Sequence, residues 1–265
     1  AVVKWTWTRD GADTTYHVSI FCQKDNNYLT GEGRSLDSTL LLNLYWRTLV
    51  NTGTGLCRMT ITYGQGGRVL RGAGPIGADS VRITGVYGSG SDLPERPFSL
   101  SYRTPLRHAP GFQVLAHRCG GRNEDLFPVS ENSVPMIHMA SQLGASGVEM
   151  DVRITSDGVP VIYHDETLNL RAVQPCGLFG PIEAYSWPQL SGIVRLIHGE
   201  QIPTLRQALH AVVYDTPLEY VWLDTKNTGA SMQLVRDLQK EFMDDATALG
   251  RNVHILTGLP EQDQV

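Results

Sequence analysis

Two acidic residues spaced two apart in an apolar run are the first groups in this chain that could do chemistry. In Gly147-Val148-Glu149-Met150-Asp151-Val152-Arg153, strand alternation puts Val148, Met150 and Val152 on one face and Glu149, Asp151 and Arg153 on the other. A strand covered on both faces should read as nearly continuous Val, Ile and Leu. Two carboxylates inside one carry a desolvation cost of roughly several kcal/mol each unless positive charge sits between them. A divalent cation meets that need, and hard oxygen ligands suit Mg²⁺ or Ca²⁺. Salt bridges to nearby arginines are the other reading. A second run, Tyr220-Val221-Trp222-Leu223-Asp224-Thr225-Lys226, puts Trp222, Asp224 and Lys226 on one strand face. Asp224 could add a third carboxylate and Lys226 a cation for a phosphate oxygen, or the two could form a solvated pair at the strand end. Two histidines close two further strands, His117 after Leu115-Ala116 and His164 after Ile162-Tyr163. At the C-terminal end of a parallel strand a side chain faces the usual active-site mouth. An imidazole titrating near neutrality suits general acid and base roles there. A single histidine is more often structural, but here four strands end in reactive residue types.

The elements that must carry these groups change rhythm near residue 110. Before it, short alternating runs at 4–8, 16–22, 57–63 and 80–87 are rich in β-branched and aromatic residues. They predict strands of a small antiparallel sandwich or barrel, an all-β domain over residues 1–110. The run 40–50 fits either a strand or a helix. Gly, Ser and Pro concentrate in 88–110, which predicts that this stretch holds the linker. From 111 to 265 strand and helix alternate: strands at 114–117, 147–155, 159–164, 220–226 and 253–256, helices at 133–143, 204–213 and 231–249. Ser156-Asp157-Gly158 is a turn between two of those strands. Such alternation predicts a parallel α/β sheet or barrel.

Composition narrows the class. Apolar residues make up 41% and charged residues 18%, a globular balance, and a net charge of -5 argues against a nucleic-acid partner. No apolar run approaches the roughly 18 residues of a transmembrane segment. Cys22, Cys57, Cys119 and Cys176 fit no zinc spacing; they allow three full pairings, or stand as four independent buried thiols. Their even count leans toward an exported, periplasmic or extracellular setting.

Taken together, His117-Arg118, Ser130-Glu131-Asn132-Ser133, Glu149-Met150-Asp151 and His164-Asp165-Glu166-Thr167-Leu168 resemble the glycerophosphodiester phosphodiesterase family. Its pattern runs His-Arg, Pro-Glu-Asn-Thr, Glu-x-Asp, then His-Asp-x-Thr-Leu, and Ile202-Pro203-Thr204-Leu205 matches the segment opening a later helix. The resemblance covers about residues 113–258. It implies a (β/α)₈ TIM barrel of the phospholipase-C-like phosphodiesterase type with one divalent cation, Mg²⁺ or Ca²⁺. It implies His117 and His164 as the acid–base pair, Glu149, Asp151 and Asp224 as metal ligands, and Arg118 and Lys226 on the phosphoryl oxygens. Glu131 becomes a supporting residue. The family usually has glutamate where Asp224 stands, on the fourth strand, so this ligand is one methylene shorter.

The implied reaction hydrolyses a small glycerophosphodiester to glycerol 3-phosphate and an alcohol. Two other readings stand beside it: a lipid-directed phospholipase C- or D-like enzyme on the same barrel, and a non-catalytic protein binding glycan or cell wall through Trp5 and Trp7. In the barrel frame Cys119 and Cys176 fall in loops over one mouth, which suggests a Cys119–Cys176 bridge with Cys22–Cys57 in the β domain. Eight strand–helix units take about 250 residues, and only five candidate strands follow Val114. The remaining barrel strands are therefore expected from a second fragment or from residues outside this sequence.

Overall fold

The computed structural model describes residues 2–10, 13–22, 27–48, 53–70, 76–103, 113–122, 127–227, 229 and 231–258. The chain divides into two compact units, Ala1–Gly111 and Phe112–Val265.

The first unit is a seven-stranded meander: β1 (Val2–Asp10), β2 (Asp13–Cys22), β3 (Asn27–Leu36), β4 (Thr39–Thr48), β5 (Thr54–Thr62), β6 (Arg82–Tyr87) and β7 (Arg96–Ser101). Each strand pairs antiparallel with the next, so among the described residues this is one sheet and not the two packed layers of a sandwich. The ambiguous run resolves as β4. Leu36 pairs with Thr39 across a two-residue turn in which Asp37 has φ 50°, and strand alternation then buries Leu40, Leu42 and Leu44. Those leucines pack with Cys57, Met59, Ile61, Ile83 and Leu70, the last from the short helix α1 (Gly67–Leu70). Each such side chain contributes about 1.5–3 kcal/mol by leaving water. Within the stretch expected to hold the linker, β7 pairs along β6 from Tyr87–Arg96 to Arg82–Ser101. Pro97 is tolerated because, among the described residues, β7 borders one strand, β6. The side chains of Trp5 and Trp7 lie outside the described part of the structure.

The second unit contains β8 (Leu115–Ala116), α2 (Val134–Leu143), β9 (Gly147–Ile154), β10 (Pro160–Ile162), β11 (Thr167–Leu168), β12 (Gly180–Pro181), α3 (Trp187–Ile193), α4 (Leu205–His210), β13 (Tyr220–Thr225), α5 (Ser231–Ala248) and β14 (His254–Gly258). Helix α2 begins where Ser133 accepts a hydrogen bond from the Met136 N–H, and it ends at Gly144, whose φ of 91° suits only glycine comfortably. Helix α5 buries Val235, Leu238, Phe242 and Ala246, one stripe at helical spacing. No helix among the described residues is long and apolar enough to cross a membrane.

Strands β8, β9, β13 and β14 run parallel, each hydrogen-bonded to the next in chain order. The fifth, β10, corrects the expectation of uniform alternation: it runs antiparallel to β9, with Pro160 opposite Ile154 and Ile162 opposite Val152. The reason is the turn. Gly158 at φ 81° and the Thr155 hydroxyl, bonded to Asp157 and Val159, fold the chain straight back, and so short a connection can join only antiparallel strands. β13 lines one edge of β9, while β8 and β10 share the other, β8 at residues 147–148 and β10 at 152–154. The sheet is open, and no closed barrel forms among the described residues.

All four cysteines carry free thiols, so the expected bridges are not present. Cys119 is sealed in the interior with its sulfur 3.8 Å from Asn132 Oδ1, while the half-buried Cys176 faces the Leu178 carbonyl. Cys57 is pushed up to about 12 by burial and then by its neighbour Cys22.

Candidate functional site

Register builds the acidic cluster. Alternation sets Glu149 and Asp151 on one face of β9, and the parallel pairing of β13 places Asp224 directly beside Asp151. One carboxylate oxygen from each of the three lies within 4.8 Å of the others. Asp151 is 1% exposed and held by Asn132, whose Nδ2 donates to Oδ2 at 2.8 Å and whose Oδ1 accepts the Asp151 N–H at 3.3 Å. Glu149 accepts the Arg118 backbone N–H at 2.6 Å. Burial, then the charge of Asp151, push the Glu149 carboxyl up to about 7, although the Arg118 N–H pulls the other way. The arginine salt bridges entertained for Glu149 and Asp151 are absent among the described residues. Lys226 instead reaches Asp151 Oδ1 at 3.0 Å and Asp224 Oδ2 at 2.5 Å. Lys226 thus lies on the carboxylates, drawn there because two of them flank the same strand end.

The chain leaves β8 through a strained corner. Arg118 (φ 52°, ψ 44°) and Cys119 (φ 67°, ψ -3°) are consecutive left-handed residues, and Asn132 has φ 51°. Such non-glycine conformations cost on the order of 1–3 kcal/mol each and persist only where surrounding contacts over-determine them. Here the Asn132 N–H bonds the Arg118 carbonyl at 3.0 Å, tying the strained residues together. The corner turns the Arg118 N–H toward Glu149 and leaves His117 open to solvent, its Nε2 4.0 Å from Glu149 Oε2. Burial of the ring and the Arg118 charge lower the His117 pKa, favouring a neutral imidazole.

On the other flank, β10 delivers His164. Its Nδ1 lies 2.7 Å from Asp165 Oδ1 and its Nε2 lies 2.8 Å from an Arg118 guanidinium nitrogen. Glu131, 4% exposed, receives Arg118 at 3.2 and 3.3 Å and Arg171 at 2.8 and 3.0 Å. Arg153 fixes the end of β10 by donating to the His164 carbonyl at 3.1 Å and to Glu183 at 3.0 Å. Glu200 accepts from the Ser130 N–H and hydroxyl at 2.9 and 2.6 Å, anchoring the segment that carries Glu131 and Asn132.

The structure thus joins the named residues in two contact sets. Glu149, Asp151, Asp224 and Lys226 form one, with His117 beside Glu149; Arg118, Glu131 and His164 form the other. Arg118 links the two, its backbone on Glu149 and its side chain on Glu131 and His164. Asn132, Asp165, Arg171 and Glu200 were missed. Asn132 and Asp165 sit within the quoted motif runs and could have been taken from them. Arg171 and Glu200 lie in loops, where no periodicity points to a partner. The three carboxylates form a hard-oxygen set whose convergence fits a divalent cation, while Lys226 pairs with the two aspartates.

The family model described as "Glycerophosphoryl diester phosphodiesterase family" matches residues 117–258. The chain is 34% identical over 161 residues to glycerophosphodiester phosphodiesterase 1 of Homo sapiens, covering 59% of this chain and 45% of that protein. It is 32% identical over 102 residues to a glycerophosphodiester phosphodiesterase of Caldanaerobacter subterraneus subsp. tengcongensis, covering 37% of this chain and 40% of that one. It therefore spans less than half the length of these relatives. Among solved structures, a glycerophosphodiester phosphodiesterase from Agrobacterium tumefaciens aligns at 21% identity and a TM-score of 0.43, covering 57% of this chain and 60% of that one. With the family match spanning more than half of its 265 residues, this chain belongs to the glycerophosphoryl diester phosphodiesterase family.

Proposed function

We propose that this protein is a metal-dependent phosphodiesterase that hydrolyses glycerophosphodiesters to glycerol 3-phosphate and an alcohol. The observation that carries the reading is the convergence of Glu149, Asp151 and Asp224 within 4.8 Å on one sheet face. His117 lies 4.0 Å from one member of that set, and Arg118 leads from the same member to His164. Glu149, Asp151 and Asp224 would hold Mg²⁺ or Ca²⁺, which when bound supplies Lewis-acid stabilisation of phosphoryl charge. Arg118 and Lys226 bind the phosphoryl oxygens and offset charge growing on them. One histidine takes the proton of the glycerol hydroxyl beside the diester, and that oxygen forms a bond to phosphorus. The phosphorus–oxygen bond to the alcohol breaks, and the other histidine protonates the departing oxygen. Water then opens the cyclic phosphate to give glycerol 3-phosphate.

The parallel strands support a segment of a (β/α)₈ barrel. β8, β9, β13 and β14 lie in chain order with α2, α4 and α5 between them, whereas a doubly wound sheet reverses its strand order. The test is a panel of glycerophosphodiesters and lysolipids, assayed with and without chelator, with products identified by phosphorus NMR. Glycerol 3-phosphate released only with metal is the expected result. Full turnover after metal removal, or cleavage of lysolipids alone, would overturn the reading.

A further inference from the structure

Five side chains of the site close into a ring. Arg171 donates through Nε and one terminal nitrogen to Asp165 Oδ2 and Oδ1, at 2.9 and 2.7 Å. Its terminal nitrogens donate to Glu131 Oε2 and Oε1 at 3.0 and 2.8 Å. Glu131 also receives Arg118, Arg118 reaches His164 Nε2 at 2.8 Å, and His164 Nδ1 returns to Asp165 at 2.7 Å. Asn169 braces the ring from its own loop, with Nδ2 on Asp165 Oδ2 at 2.8 Å and Oδ1 accepting the Arg171 N–H at 3.0 Å.

The ring dictates a proton position. A guanidinium can only donate, so His164 Nε2 must accept from Arg118, and the ring proton sits on Nδ1, where it donates to Asp165. Within the ring itself two guanidinium groups face two carboxylates. The lone pair on Nε2 then receives the Arg118 N–H. Removing one member of such a closed network leaves buried charge unpaired.

We propose that Arg171 is a positioning residue that acts on two reacting groups at once, fixing the His164 tautomer through Asp165 and the Arg118 guanidinium through Glu131. This rests on the catalytic reading of His164 and Arg118 given above. Four hydrogen bonds to two carboxylates need a planar fork, and a lysine ammonium cannot reproduce them.

The test uses Arg171→Met and Arg171→Lys, with the isosteric Asp165→Asn carrying it if the methionine variant fails to fold. Two quantities are read: kcat and KM on a glycerophosphodiester, and the His164 ring tautomer from ¹⁵N NMR. Arg171→Met should lower kcat about 10–100-fold, the range for loss of an orienting partner, with KM within about twofold. His164 should lose its Nδ1–H preference in Arg171→Met and Asp165→Asn, and Arg171→Lys should not restore kcat. An unchanged tautomer or an unchanged kcat in Arg171→Met overturns the proposal, as does full rescue by lysine. If the wild type cleaves no glycerophosphodiester, the functional reading fails by itself. The tautomer then decides the positioning role alone: a shift in Arg171→Met supports it, and no shift overturns it.

Discussion

The two units spend their interiors differently. Among the described residues of the first unit the buried side chains are apolar, and the non-glycine left-handed residues, Asp37 and Asp79, are exposed. In the α/β unit the interior takes in Ser130, Glu131, Asn132, Ser133, Asp151 and Arg153, and the left-handed residues Arg118, Cys119 and Asn132 all belong to the site. Buried polar groups and backbone strain both cost free energy, and here they coincide where charge is gathered. Among its described residues the first unit rests chiefly on strand pairing and apolar burial. The second gives up part of that stabilisation to hold carboxylates, guanidinium groups and imidazoles at fixed distances.

Substitutions in each unit can break this contrast. The largest effect is expected at the histidines: His117→Ala or His164→Ala should lose at least about 10²-fold in turnover, with little change in melting temperature at the exposed His117. Near wild-type steady-state kinetics for either variant would remove it from the mechanism. In the other unit Leu42→Ala should do the reverse, losing about 2–5 kcal/mol of stability in a denaturant titration while kcat below the transition stays put. A marginal stability loss would mean that the sheet is not held by its apolar face.

Asn132→Ala sharpens the comparison, because Asn132 both is strained and orients Asp151. Divalent-cation affinity by calorimetry should fall about 10–100-fold, and an unchanged affinity would make Asn132 a folding residue only. The smallest effect concerns acid. Burial alone would raise the Asp165 carboxyl, but hydrogen bonds from Arg171, Asn169 and His164 outweigh it and hold it well below the usual carboxylate range. Its stabilising contribution is therefore fully present above about pH 4 and lost as pH falls further, through its depressed value. Melting curves of wild type and Asp165→Asn should differ at pH 5 and converge in stronger acid. A gap that does not narrow would place the stabilisation elsewhere.

Much of the site was legible because strand chemistry is local. Glu149 and Asp151 share a face by alternation, and the motif runs around His117, Glu131 and His164 name their residues outright. The same rule misled where pattern has no direction. The run 159–164 reads as a strand whichever way it points, and only the Thr155–Gly158 turn makes β10 antiparallel. Likewise the Pro and Gly of 88–110 hide β7, which pairs along β6 inside the stretch expected to hold the linker.

Sequence by itself determined the residue types, their strand faces and the family, because each depends on neighbours one to four positions apart or on short fixed runs. Tertiary structure alone decided which strand lies beside which, and so that Asp224 stands next to Asp151. It also decided that Lys226 lies on those two aspartates, and that Arg171 closes a ring 40 residues away in sequence from Glu131. Those contacts depend on long-range register and on loop paths, which no local periodicity encodes.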